Sequence, residues 1–288
     1  MANTTIADAE RSVAGKLSRP ASLVLALPLV LLLGFAFLLP VAKLLLGSIF
    51  TPTPTAEQYL RIAEEPIFLR IFLRTVQTAA IVTLLAFLLG YPVALVMSQL
   101  GARAAMLVAA CVLIPLWTSV LVRSYAWIVL LQRTGIVNNA LLNWELINQP
   151  LKLIYTEGAV IVAMTHVLMP YMILPIFSSL RSTPPELERA ARNLGAGPWT
   201  SFLAVTLPLS LPGVYAGATM VFILSLGFYV TPALVGGPQN LTIATLIGQQ
   251  TTELLNWPFA GALAGVLLVM TLGLIGAFRR FLRFGKGA

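Results

Sequence analysis

The sequence predicts an all-α membrane protein with six transmembrane helices and both termini on the cytoplasmic side. Three observations carry this prediction. Of the 288 residues, 58% are hydrophobic and 10% charged, whereas soluble domains carry about 25% charged residues. Long stretches contain no charge at all, and a helix needs about 20 apolar residues to cross a bilayer. The basic residues divide unevenly between the loops, a bias that sets orientation.

The first span is placed at about 21–46, after a short cytoplasmic segment of residues 1–20. Behind Lys16 and Arg19, 22 uncharged residues run from Ala21 to Ala42. That is too long for the apolar part of a signal peptide, and no small-residue cleavage site follows closely, so the segment reads as a retained anchor. The second span, about 70–99, draws on 28 uncharged residues from Thr75 to Ala102. The third, about 104–131, is apolar except for Arg123. The fourth, about 157–180, contains the 23-residue run Gly158 to Leu180, and the sixth, about 256–279, lies in the 25-residue run Leu254 to Phe278. Helix is the form that satisfies the backbone of each in lipid.

Between Asn193 and Thr252 lie 60 residues without a charge, more than one crossing can use. Pro208, Pro212, Pro232 and the Gly236-Gly237-Pro238 turn divide them. The division gives a short surface helix, a fifth span at about 209–235, and a polar but uncharged loop after it. One transmembrane domain then covers 21–280, followed by a cytoplasmic tail at 281–288. Cys111 is the only cysteine, which excludes an internal disulfide. In so apolar a chain, the net charge of +8 reads as loops held against anionic lipid, not as a nucleic-acid surface.

With the N-terminus inside, the inner side holds 11 basic residues: Arg11, Lys16, Arg19, Arg103, Arg181, Arg189, Arg192, Arg279, Arg280, Arg283 and Lys286. The outer side holds six: Lys43, Arg61, Arg70, Arg74, Arg133 and Lys152. This places the loop 181–208, with its stretch "PPELERAARNLGAGPW", inside. There Thr183 reads as an N-cap, with Pro184 at N1 and Glu186 at N3 completing a capping box. Leu187, Ala190, Ala191 and Leu194 form an apolar stripe, and Gly195 with Gly197-Pro198 break the helix. A second short helix from Trp199 to Val205 ends at Leu207-Pro208. Such a helix–turn–helix either rests on lipid or docks a cytoplasmic protein, since Ala and Gly admit a close backbone.

The loop resembles the signature of bacterial ABC-importer permeases: Glu-Ala-Ala, three residues, Gly, nine residues, Ile-x-Leu-Pro. Here Ala190-Ala191 precede Arg192-Asn193-Leu194 and Gly195, and nine residues later come Val205-Thr206-Leu207-Pro208. Arg189 stands at the signature Glu position, with Glu188 one residue earlier, and the second helix lacks the basic residues common in relatives. "LGYPVAL", "IPLWTSVLVRSYAWIVLL", "YTEGAV", "TLPLSLPGV" and "FYVTPALVGGP" are similar to the spermidine/putrescine-type branch, over roughly residues 70–280. The resemblance implies a type I ABC-importer permease fold in a bacterial inner membrane. It implies that Glu188, Arg189, Ala190, Ala191, Arg192, Gly195, Leu207 and Pro208 belong to a cytoplasmic loop, 181–208, whose helix couples the permease to an ATP-binding cassette ATPase dimer. That dimer binds ATP and Mg²⁺, and its separate groove for the coupling helix is expected here to be more apolar and less acidic than usual. It further implies a second permease subunit, a paralogue, and an extracytoplasmic solute-binding protein, all working in membrane lipid.

A charge inside a span costs roughly 2.5–3.5 kcal/mol on insertion scales. Arg123, flanked by Trp117, Tyr125 and Trp127, is either an interfacial residue snorkelling outward or part of the solute path. The resemblance assigns it, with Thr118, to an outer gate. In span five, Gly227 and Pro232 weaken the helix, as in broken transporter helices, and Ser225, Tyr229 and Thr231 supply hydroxyls. Phe228 stands where polyamine-branch relatives commonly carry an acid. The solute is therefore expected to be a polyamine or a less cationic molecule such as an opine-like amino-acid conjugate. Otherwise Phe228 packs in the bundle and the partner subunit supplies the acid. His166 has no second ligand nearby in sequence and reads as a packed or hydrogen-bonded residue, with no metal site. Met164, Met169 and Met172 read as core filler. The loop 135–150 is long enough for a short amphipathic helix, capping the path, receiving the binding protein, or lying at the interface.

No phosphate-binding loop occurs, so the chain is not expected to hydrolyse ATP; no catalytic residue, metal or cofactor of its own is expected either. A self-contained secondary transporter or channel is the alternative. It would carry ion-coupling acids within its spans, and none of the ten Asp and Glu lies in the middle of one. A membrane scaffold would explain the spans but not the loop spacing.

Overall fold

Two glycines set how the bundle packs. The computed structural model describes residues 19–50 and 53–284. Within it α1 (Arg19–Leu33) continues through a π-turn (Gly34–Leu38) into α2 (Leu39–Gly47). Then follow α3 (Glu57–Glu64), α4 (Pro66–Gln99), α5 (Ala102–Trp117), α6 (Val120–Leu131), α7 (Ile136–Asn143) and α8 (Glu157–Ser182). After α9 (Pro185–Asn193) and α10 (Pro198–Ser201), a second π-turn (Phe202–Thr206) leads into α11 (Leu207–Leu226). The chain closes with α12 (Val230–Val235), α13 (Ile243–Thr252) and α14 (Trp257–Phe284). Residues 1–18 and 285–288, with Arg11, Lys16 and Lys286 of the charge count, lie outside the described residues.

The core is a three-helix sandwich of α4, α8 and α11. Val82, Ala86, Tyr91, Ala94 and Met97 of α4 bury against Val160, Met164, Leu168, Met172, Ile173 and Ile176 of α8, with Val221 of α11. Small residues let the backbones close, the main source of attraction between helices in lipid. A Cβ built on Gly213 would lie 2.5 Å from the Pro175 carbonyl oxygen, and one on Gly217 would lie 3.0 Å from that of Met172. Met164 and Met172 are fully buried here, and Met169 packs on the cluster's edge. A second cluster joins Phe68, Ile71 and Phe72 to Ile243, Leu246, Phe259 and Leu263. There the Arg61 guanidinium lies over the Phe259 ring at 4.7 Å. The α1–α2 helix rests on α14 where Gly261 admits the Leu44 carbonyl.

Among the described residues, six helical stretches are long and apolar enough to cross a membrane: Leu27–Gly47, Pro66–Gln99, Val120–Asn143, Glu157–Ser182, Pro198–Leu226 and Trp257–Ala277. Two expected spans are redrawn. The span expected at 104–131 is broken at Thr118 and Ser119, leaving Ala102–Trp117 as a shorter apolar helix. Pro115 removes a helical donor, the Thr118 hydroxyl donates to the Pro115 carbonyl at 2.7 Å, and Ser119 caps the Leu121 N–H. The span expected at 209–235 begins earlier and ends earlier. The surface helix at Trp199 does not stop at Leu207-Pro208. Pro208 has no N–H to give, and the ladder slips to a π register in which Leu207 N–H donates to Phe202. At the other end Gly227–Tyr229 break the helix, and Pro232 lies inside α12.

Two local expectations also change. Thr183 ends α8 with its hydroxyl on the Ser179 carbonyl at 3.1 Å, and α9 starts from Pro184 with no capping box. The uncharged loop expected after Val235 contains α13, started by a capping box between Thr242 and Thr245.

The start of α13 is pinned by Thr75, whose hydroxyl donates to Ile71 O at 2.8 Å and accepts Ile243 N–H at 3.0 Å, all buried. Thr75→Ala orphans that N–H at a cost of about 1–3 kcal/mol. Its expected result is a lower thermal midpoint in detergent, restored by Thr75→Ser, which keeps the hydroxyl.

Candidate functional site

Two regions collect the expected functional residues. The first is α9 and its C-terminal turn. Glu188, Arg189, Ala190, Ala191 and Arg192 lie on α9, and Glu188 pairs with Arg192 one turn on at 2.5 Å. Such an exposed pair contributes about 0.3–0.5 kcal/mol. Arg189 is exposed and has no ion-pair partner among the described residues. The helix closes in a Schellman motif: Gly195 N–H donates to Arg192 O at 2.9 Å and Ala196 N–H to Ala191 O at 3.1 Å. This needs φ of +86° at Gly195, which glycine adopts freely. Leu194 and Trp199 project beside it, 90% and 70% exposed. Leu207 and Pro208 open α11, so α10, the π-turn and α11 form one unbroken helical path from this surface into the core.

The second region lies at the opposite end of the core helices, where the broken helices meet. The buried hydroxyls of Ser124 on α6 and Thr231 on α12 bond at 3.0 Å, clamping one break to the other. Beside this clamp opens a cleft of about 600 Å³. Tyr125, Tyr229 and Pro232, all singled out from sequence, line it together. Tyr155, Gln249 and Glu253 line it too, and sequence reasoning missed them. Glu253 caps the C-terminus of α13, and reading α13 as loop left no reason to aim it anywhere. The Thr242–Thr245 spacing was the signal that could have found it.

The cleft walls are held by tight contacts. Tyr155 sits at φ of 62°, fixed by its N–H to Val235 O at 3.0 Å and by Asn240 Nδ2 to its own carbonyl at 3.2 Å. Arg74 Nη1 donates to the Gln239 carbonyl in the same loop. Tyr229 packs on bare backbone at Gly248, where a Cβ would meet the ring at 2.4 Å.

The remaining candidates lie apart from this cleft. Trp117 and Thr118 sit at the α5–α6 break, with Trp117 88% exposed. Ser225 is buried, its hydroxyl on Val221 O at 2.8 Å. Phe228 packs against the main core cluster. Arg123 and Trp127 face α8, where Trp127 Nε1 donates to Nδ1 of His166 at 3.4 Å. His166 is thus hydrogen-bonded, though exposed rather than packed. In the loop 135–150, α7 forms the short helix, anchored by buried Asn138 to Leu151.

Residues 86–279 match the family described as binding-protein-dependent transport system inner membrane component. The chain is 31% identical over 249 residues to the spermidine/putrescine transport system permease protein PotB of Escherichia coli (strain K12), covering 86% of this chain and 88% of that protein. The Haemophilus influenzae PotB is 33% identical over 228 residues, 78% of this chain and 79% of that protein. In fold it is similar to a chain of the bacterial alginate ABC transporter in complex with alginate pentasaccharide-bound periplasmic protein, with TM-score 0.76, 16% identity and coverage of 92% and 94%. It is similar also to a chain of the inward-facing MetNI methionine ABC transporter, with TM-score 0.59, 20% identity and coverage of 76% and 98%. The chain belongs to the binding-protein-dependent inner membrane component family and is a multi-pass permease subunit of an ABC importer.

Proposed function

We propose that this permease forms half of a translocation path for a small organic cation of the polyamine class, with both termini and the 181–208 loop in the cytoplasm. The Lys and Arg asymmetry supports the orientation. The cleft carries the solute reading. Tyr125, Tyr155 and Tyr229 line it together with one carboxylate, Glu253, a lining that suits a cation, since aromatic rings attract ammonium groups by about 0.5–2 kcal/mol. Glu253 supplies the negative charge that span five lacks at Phe228. An opine-like conjugate brings its own carboxylate, which Glu253 would repel. The relatives' names, spermidine/putrescine permeases, point the same way.

In this reading an extracytoplasmic binding protein delivers the cation to the cleft. A second permease subunit, a paralogue, closes the path, and an ATPase dimer binds ATP and Mg²⁺ and hydrolyses ATP. The ATPase grips α9 at Ala190, Ala191 and Gly195, and Arg189 and the Glu188–Arg192 pair border the contact. Its movement passes through α10 and the π-turn to Leu207 and Pro208, and so to Ser225 and the break at Phe228. Two states of this one element, each favoured by a different ligand, are what coupling requires. Trp117, Thr118, Arg123 and Trp127 flank the second break.

The test is uptake of radiolabelled spermidine by cells depleted of other polyamine importers. Losing one carboxylate–ammonium contact of about 1 kcal/mol lowers affinity about fivefold. Glu253→Gln is expected to raise KM by that factor with the maximal rate little changed, and Tyr229→Ala to act in the same direction. Unchanged KM in both variants would remove the cleft from the path.

A further inference from the structure

Among the described residues, Arg123 is a cation without an ion-pair partner. Its Nε and Nη1 are buried and have no hydrogen-bond acceptor among the described residues. The groups nearest to it electrostatically are Tyr171 and His166 of α8, neither of them a carboxylate. One turn along α6, Trp127 holds His166 through its indole N–H, with ring centroids 5.8 Å apart. His166 and Val162, one turn apart on α8, are both exposed.

Depth makes this arrangement informative. His166 lies nine residues into α8, about 14 Å from its end at 1.5 Å per residue, in a hydrocarbon layer about 30 Å thick. An exposed imidazole at that depth, with the Arg123 guanidinium near it, is costly against acyl chains, which offer neither acceptor nor water. The only acid on α6 or α8 is Glu157, at the far end of α8. Nor is the solute the missing partner. Tyr125 faces the cleft, and Arg123, two residues away, points about 200° round the helix. A cleft bearing Glu253 also selects cations, which Arg123 repels.

We propose that this α6–α8 face, with Trp127, His166 and Val162, is where the second permease subunit packs, and that this subunit places a carboxylate on Arg123. The inference rests on the two-permease reading above. The pair would form only on assembly, and loss of one member of a buried charged pair weakens a contact by far more than loss of a rim charge.

The experiment tags the chain in its own host, solubilises membranes in mild detergent and quantifies co-purifying proteins by mass spectrometry. Arg123→Gln is expected to lower recovery of the second permease per tagged chain by about tenfold or more, with Arg123→Lys intermediate. In parallel, a photo-reactive benzoylphenylalanine at Val162 is expected to cross-link to that permease. This second arm decides the matter if Arg123→Gln fails to reach the membrane. Wild-type recovery with Arg123→Gln overturns the proposal, even if uptake falls, because that pattern belongs to an anionic solute. Cross-links to lipid alone, or to a second copy of this chain, overturn it as well, since this chain offers no carboxylate there. Should the wild-type chain itself recover no second permease, the two-permease reading fails first.

Discussion

Gly195→Trp is expected to reduce energised uptake to background while the chain stays in the membrane at wild-type abundance. At φ of +86° an L side chain is disfavoured, by about 1–2 kcal/mol. That cost falls on an exposed turn, not on the bundle. A Cβ there meets nothing within 4 Å, so the indole has room in the isolated subunit. It would stand on the surface formed by α9, Leu194 and Trp199, where the ATPase is proposed to dock. Loss of a close contact at the centre of such an interface costs about 2 kcal/mol or more. The comparison that isolates docking from strain is Gly195→Asn, since asparagine tolerates the left-handed region, and it is expected to retain most uptake. Uptake and ATP hydrolysis measured on the same membranes check this. Wild-type uptake by Gly195→Trp at normal abundance would contradict the docking assignment.

Gly213→Leu is expected to do the opposite: remove the protein from the membrane altogether. Even a Cβ at 213 would lie 2.5 Å from the Pro175 carbonyl oxygen and 2.6 Å from Ser179 Cβ, with Ile176 Cα at 3.0 Å. Two of these three atoms are backbone, so no rotamer change relieves the overlap; α8 and α11 must separate. Overpacking a core commonly costs about 1–3 kcal/mol, and separating these helices also opens the cluster around Met172, Ile176 and Val221. Gly213→Ala is expected to fall between, with reduced abundance and a lower melting midpoint. Membrane abundance and size-exclusion profiles of the three proteins check the order. A wild-type profile for Gly213→Leu would mean that the close α8–α11 approach is not what holds the bundle.

How much of this was legible in the sequence follows from which forces are local. The second, fourth and sixth spans were readable because an uncharged run bounded by charges leaves little choice in a bilayer. The helix break at Gly195 was readable because glycine after an Ala-rich turn is a local stop signal. The break at Thr118-Ser119 is different: hydropathy is blind to it, so 104–131 looked like one helix, whereas Gly227 and Pro232 had already marked span five as a weakened helix. The π-turn before Pro208 was hidden for a related reason: a proline signals a lost donor, and the chain restored the ladder by slipping register rather than stopping. Thr183 had the chemistry of a cap, but the end of α8 claimed its hydroxyl first. Glu253 was the largest omission. Its place in the cleft depends on α13 folding back against α4 through Thr75 and Ile243, residues 168 apart in sequence. No local pattern reports that contact.

One measurement tests the central claim most directly. The complex carrying this chain is reconstituted into vesicles with ATP and Mg²⁺ enclosed on the side facing α9 and its binding protein outside. Entry of radiolabelled spermidine is then followed. The account predicts accumulation that requires ATP, the ATPase and the binding protein together, and that weakens with Glu253→Gln. Accumulation by this chain alone, without ATPase or ATP, would contradict it and make the protein a self-contained transporter.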